Sequence, residues 1–279
     1  MFSVCVLLYG DYPGLAARCL RSIRLSGGQD CVSDIRIGLH DISAASRRIV
    51  GNELDALAEG WPCKIIIYEP IGNTCKYPTF RRMVHDEDDP VSEHVMWFDD
   101  DSYICAPDFW LRLDEALWGA DMLGQLCCLP VQGTQWEWIC TQPWYRGLPR
   151  PQKFTFCPGG WWVIKSSVLR HLNWPVPELK HCGGDSLLGE ALRQNRYRIT
   201  RYDYGVRINA DSWGRHAQAP RRGLSERVLG YDYAGKPYST SHQNFRMCKS
   251  CWNATISSIT PSPGSWPETA PQLKNVAAR

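Results

Sequence analysis

No stretch of this 279-residue sequence approaches the roughly 18 to 20 uninterrupted apolar residues that span a bilayer. Its first apolar run, Phe2 to Tyr9, is short and has no basic leader before it. A membrane span and a secretion signal are therefore not expected, and a cytoplasmic location with no membrane or protein partner is. A large excess of one charge is also missing, since the formal net charge is +2. No internal repeat is visible, and Tyr9 to Gly14 offers only Gly10 and Gly14 where a glycine-rich phosphate loop would follow a first strand. That absence counts against nucleotidyl transfer, an enzyme class whose members generally carry such a loop. Disorder is excluded by a hydrophobic content of 44%, enough for a substantial core. Cysteine is plentiful, but thirteen is an odd number spread along a long chain, so most are read as reduced, buried thiols.

The near-zero net charge conceals an uneven distribution. Residues 1–132 hold 11 Lys/Arg against 20 Asp/Glu, a balance of −9, whereas residues 133–224 hold 14 against 6, or +8. An acidic first half suits cation handling, and a basic second half suits a polyanion. Thirteen Trp add flat apolar surfaces of the kind that grip sugars or bases.

Strand-like and helix-like patterns alternate through the first half. Ser3 to Tyr9 is an apolar run closed by the turn cluster Gly10, Asp11 and Pro13, and Leu15, Cys19, Leu20 and Ile23 follow at helical spacing. Asp34 to Leu39 and Lys64 to Tyr68 read as buried strands with a helix over Ala44 to Ala58 between them. A helix over Thr79 to His85 and a strand over Val95 to Phe98 complete the series. Such alternation predicts an α/β fold with a mostly parallel sheet flanked by helices, whose ligands bind at the carboxyl ends of the strands. Those ends carry Tyr9 and Asp11, then His40 and Asp41, then Asp99, Asp100 and Asp101, the placement a nucleotide site needs.

WFDDDSY, residues 97–103, is the strongest chemical signal. Three consecutive carboxylates after an apolar strand repel one another and call for a cation. Oxygen ligation suits Mn2+ or Mg2+, and strand alternation puts Asp99 and Asp101 on one side with Asp100 on the other. The neighbouring run Asp86 to Asp89 reads as a solvated acidic turn.

Three segments resemble the inverting glycosyltransferases of the GT-A fold: FSVCVLLYGDYPGLAARCLRSI at the start, IGLHDIS at the second strand and WFDDDSY with its Asp-x-Asp pattern. The resemblance runs over about residues 3–205, with only the first helix and the acidic triplet specific. It implies a nucleotide-sugar donor, written as a UDP-sugar, a divalent cation, and transfer to a hydroxyl. Asp41 takes the place of a base-contacting aspartate, although His40 and Ile42 stand where the family usually has a second acid and a glycine. Lys76, Arg81 or Arg82 fall where a basic group meets the diphosphate, with a solvated helix face as the other reading.

HCGGDSLLGEALRQNRYRI, residues 181–199, resembles the acidic motif that supplies the family's general base, which assigns Asp185; its bland alternative is a helix N-cap. Gly183 and Gly184 are expected to let a sugar approach the backbone. Gly160, Trp161 and Trp162 in CPGGWWVIK read as a sugar floor or as a turn entering a core strand. His216 is the candidate additional metal ligand, with His242 behind it. His242, Cys248 and Cys251 also invite a zinc reading that lacks a second tight pair.

Between residues 136 and 153, Trp136, Trp138, Trp144 and Tyr145 are interleaved with Arg146, Arg150 and Lys153. Aromatic faces beside guanidinium groups grip nucleic acid, so a hydroxymethylated pyrimidine flipped out of DNA is one expected acceptor. A glycan or small molecule is its rival, because Trp also serves as a sugar platform. A non-catalytic nucleic-acid-binding module would leave the acidic triplet unexplained. The chain then divides into a donor half (1–132), an acceptor and base half (133–251) and an extended or mobile tail (252–279).

Overall fold

The computed structural model describes residues 1–208 apart from 41, 71–75, 132, 178 and 180–183. Asp41, His216, the zinc candidates and the tail thus fall outside the described residues. The first half runs β1 (Phe2–Tyr9), α1 (Pro13–Leu25), β2 (Val32–His40), α2 (Ala44–Gly60), β3 (Lys64–Tyr68), α3 (Lys76–Val84), β4 (His94–Asp99), β5 (Tyr103–Ile104), α4 (Phe109–Leu117), β6 (Met122–Gly124) and β7 (Cys127–Pro130). After it come α5 (Gly133–Cys140), β8 (Lys153–Phe156), β9 (Trp161–Lys165), α6 (Ser166–Leu172), α7 (Gly184–Gln194), β10 (Ile199–Arg201) and β11 (Val206–Arg207).

Seven strands form the central sheet in the order β10-β6-β9-β4-β1-β2-β3. β1 pairs in parallel with both β2 and β4, while β9 runs antiparallel between β4 and β6. The sheet is therefore mostly parallel, with one reversed strand from the second half in its middle. Period-two alternation sends Val4, Val6, Phe98 and Trp161 into one core with α1, α2 and α4. Cys5, Trp97 and Trp162 go into the other, with α3, α6 and α7.

The chain winds outward from β1 to β3 over one face, then crosses back through α3 to place β4 on the other side of β1. The strand order thus reverses between β1 and β4, the point at whose carboxyl ends open α/β sheets bind their ligands. Gly10, at φ +67°, turns the chain there, its amide bonded to the His40 carbonyl at 3.1 Å. Pro13 starts α1, and Ser43 caps α2 by accepting from the Ser46 amide at 3.1 Å. α3 begins at Lys76, three residues before the expected start. Pro78 is compatible with its first turn because the amide it lacks would have no helical partner there.

Candidate active site

The carboxyl end of β4 gathers residues from four distant segments. Asp99 is the last residue of β4, its amide held by the Gly160 carbonyl at 2.9 Å. The Trp97 indole donates to Asp99 Oδ1 at 3.0 Å and to the Gly159 carbonyl at 2.9 Å. Lys76, in the first turn of α3, places its ammonium 3.2 Å from Asp99 Oδ1, 3.4 Å from Oδ2 and 3.1 Å from the Gly159 carbonyl. That nitrogen lies 5.0 Å from the centre of the Trp97 ring. Tyr77 donates its hydroxyl to Asp185 Oδ1 at 2.9 Å, joining the first turns of α3 and α7.

Two glycines make this convergence possible. A Cβ on Gly159 would stand 2.2 Å from Lys76 Nζ and 2.9 Å from Asp185 Oδ2. One on Gly184 would meet the Tyr77 ring at 2.1–2.4 Å.

Burial raises the Asp185 pKa above the usual carboxylate range, and Asp99 adds to it. Lys76, the Tyr77 hydroxyl and the Gly159 amide pull the other way without cancelling the rise. For Lys76 burial acts downward, but Asp99, Asp185 and Asp101 outweigh it and hold the ammonium above its ordinary value. The site therefore pairs a carboxylate poised to take a proton with a firmly charged cation.

No family model matches the chain, and no curated protein matches it in sequence. Solved structures do match. A mannosyltransferase from Pyrobaculum calidifontis, solved with GDP-Man and Mn2+, superposes with a TM-score of 0.55 at 14% identity, over 79% of this chain and 60% of its own. GalNAc-T7, solved with UDP, GalNAc and Mn2+, gives 0.51 at 11% identity, over 72% and 42%. The fold is GT-A.

This chain spans less than two thirds of the length of either protein. Within its GT-A fold the expected site residues have different fates. Asp99, Lys76 and Asp185 meet as described. Tyr9 is half-buried at the end of β1, and Asp11 beside it accepts from the Ser43 hydroxyl at 2.6 Å. His40 is buried and bonded to Thr79 of α3, tying β2 to that helix.

Several expectations are corrected. Asp99, Asp100 and Asp101 do not alternate along a strand: β4 ends at Asp99, and Asp100 and Asp101 sit buried in a turn closed by the Ser102 amide on the Asp99 carbonyl at 3.0 Å. Trp161 and Trp162 are 0% and 1% exposed, so neither ring can floor a sugar. Their positions in β9 direct them into opposite cores, and Trp162 stacks under Trp97 at 6.0 Å. Trp162 thus reaches the site only through the indole that holds Asp99. The Gly160 carbonyl accepts from the Asp99 amide just beyond the β4–β9 ladder, and Gly184 lies against the Tyr77 ring.

Arg81 spends its guanidinium on Asn173 Oδ1 at 2.9 Å and on the carbonyls of Asn173 and Pro175, tying α3 to the segment after α6. The Arg146 amide bonds Gln194 Oε1 at 3.1 Å. Gln194 lies nine residues along α7 from Asp185, about 13 Å at 1.5 Å per residue. Trp136 packs edge-on against Tyr145, so it belongs to the same remote end. Asp185 lies in the first turn of α7.

Tyr77, Trp97 and Gly159 were not singled out by sequence reasoning. A clue was available for two of them: Tyr77 follows Lys76, and Gly159 precedes Gly160.

Proposed function

We propose that this chain transfers a sugar from a nucleotide-sugar donor to a hydroxyl acceptor with inversion at the anomeric carbon. The observation that carries this reading is Asp185, a half-buried carboxylate of raised pKa bonded to Tyr77 and set near Lys76 and Asp99, at the strand ends of a GT-A fold. Asp185 takes the acceptor's hydroxyl proton as that oxygen bonds to the anomeric carbon. The bond from that carbon to the diphosphate breaks, and its electron pair leaves with the diphosphate.

The donor set at the end of β4 fits Mn2+ or Mg2+. Carboxylate oxygens are hard ligands, and one or two suffice when substrate phosphates complete the shell. Asp99 and Asp101 are the residues that would hold the ion, with Asp100 beside the donor. Among the described residues no three His, Cys, Asp or Glu side chains converge on one point. When bound, such a cation supplies charge neutralisation to the departing diphosphate. Tyr77 orients Asp185, Trp97 orients Asp99, and Lys76 offers a second positive charge to the phosphates.

The described residues give the DNA acceptor no support: Trp136 packs against Tyr145 and the Arg146 amide bonds Gln194, at the other end of α7 from Asp185. A glycan or small-molecule hydroxyl is the acceptor this reading takes.

Transfer and donor hydrolysis with UDP- and GDP-sugars and Mn2+ test it, using Asp185→Asn and Asp101→Ala as controls and acceptors that include hydroxymethylated DNA. Turnover lost in both variants is expected. Full activity of folded Asp185→Asn would sink the assignment of the base.

A further inference from the structure

Lys76 occupies an unusual position for a phosphate-binding lysine. Its ammonium straddles the Asp99 carboxylate, 3.2 Å from one oxygen and 3.4 Å from the other. A divalent ion binding Asp99 would lie against those same oxygens, and two cations so close repel strongly in a site of low exposure. The ammonium is itself built in: Lys76 is 9% exposed, its nitrogen accepted by the Gly159 carbonyl at 3.1 Å and set over the Trp97 ring. Asp185 and Asp101 also act on it electrostatically.

We infer that Lys76 is a placeholder cation: it neutralises Asp99 in the donor-free protein, excludes the divalent ion from Asp99, and moves onto the donor's phosphates when a nucleoside diphosphate group enters. The inference rests on the donor-site reading above. Transfer of the ammonium from carboxylate to phosphate exchanges one charge-assisted contact for another and frees both Asp99 oxygens. Metal binding is thereby weak until phosphate arrives. The nucleotide, in turn, keeps a cationic partner even without metal.

Removing the charge should therefore move two affinities in opposite directions, which a merely structural role would not do. In the full-length protein without nucleotide, Lys76→Gln is expected to bind Mn2+ at least tenfold more tightly than wild type, read from the free-ion electron paramagnetic resonance signal. In EDTA, calorimetry is expected to show the same variant binding UDP and GDP at least tenfold more weakly.

Gly159→Ala is the second variant, because its Cβ would displace the ammonium without deleting the charge. It too should tighten Mn2+ binding, and it keeps the test available if Lys76→Gln does not fold. Unchanged or weaker Mn2+ binding in a folded variant overturns the inference, as does wild type that binds neither nucleotide in EDTA. If wild type also binds neither nucleotide with Mn2+ present, the donor-site reading falls together with the inference. Normal binding of metal and nucleotide by wild type with unaltered Mn2+ affinity in the variants removes only the inference.

Discussion

Helix α7 carries two shielded carboxylates in very different settings. Glu190, 1% exposed, is sealed by its own helix: Arg193 donates to both oxygens at 2.7 and 2.8 Å, and Gln194 adds a third bond at 2.8 Å. Arg193 and Gln194 then clamp residues 146–149 to the helix end. Asp185 instead takes its partners from other segments, Tyr77 of α3 and the Gly159 amide, and is only half-buried. A saturated carboxylate fastens a loop, whereas an incompletely compensated one can accept a proton.

The sharpest way to break this contrast is Asp185→Asn against Glu190→Gln. The first should lower transfer on the order of a thousandfold, as loss of a general base does, which steady-state kinetics would read. Its stability should respond to pH with a definite sign. A carboxyl whose folded pKa is raised stabilises at low pH and loses that contribution as pH rises through the folded value. The melting temperature of Asp185→Asn relative to wild type is therefore expected to increase between acid and neutral pH.

Glu190→Gln should instead cost about 2 kcal/mol of stability with catalysis nearly unchanged, since it weakens charge-assisted bonds far from the chemistry. Chemical denaturation reads the loss. Between the two carboxylates, Gly189 would bring a Cβ to 2.3 Å from the Thr155 carbonyl and 2.6 Å from Phe156 Cβ. Gly189→Ala should destabilise by about 1–3 kcal/mol through overpacking against β8, again by denaturation.

The smallest effect should come from Tyr77→Phe. Its hydroxyl donates to the ionised form of Asp185 and so lowers that pKa. Without it the pKa climbs further, and the acid limb of the kcat/KM profile should move to higher pH.

The sequence made the first half legible where local periodicity and chemistry coincide. β1 and α1 follow their apolar spacing, β3 falls at the expected residues, and Asp99 and Asp185 stand at the ends of patterned elements. What it concealed depends on long-range contact. Tyr77 meets Asp185 across 108 residues and Lys76 meets Gly159 across 83, distances at which neither spacing nor composition carries information. Trp161 and Trp162 show another limit, because a tandem of aromatic residues has the same pattern whether it lies under a sugar or under a sheet. Alternation misplaced Asp100 and Asp101 because nothing local announced that the strand stops at Asp99.

The antiparallel insertion of β9 has a consequence for synthesis. β6 reaches the sheet only through β9, and β4 keeps an open edge until residues 161–165 have been made. A fragment ending at residue 132 would present β4, with Val95, Trp97 and Phe98, as an unpaired hydrophobic border, the kind of edge that recruits other chains. The first half is thus expected not to complete its sheet alone. A nascent chain must wait for its middle strand before it has a finished sheet, and truncations between the two halves are expected to accumulate as insoluble aggregates.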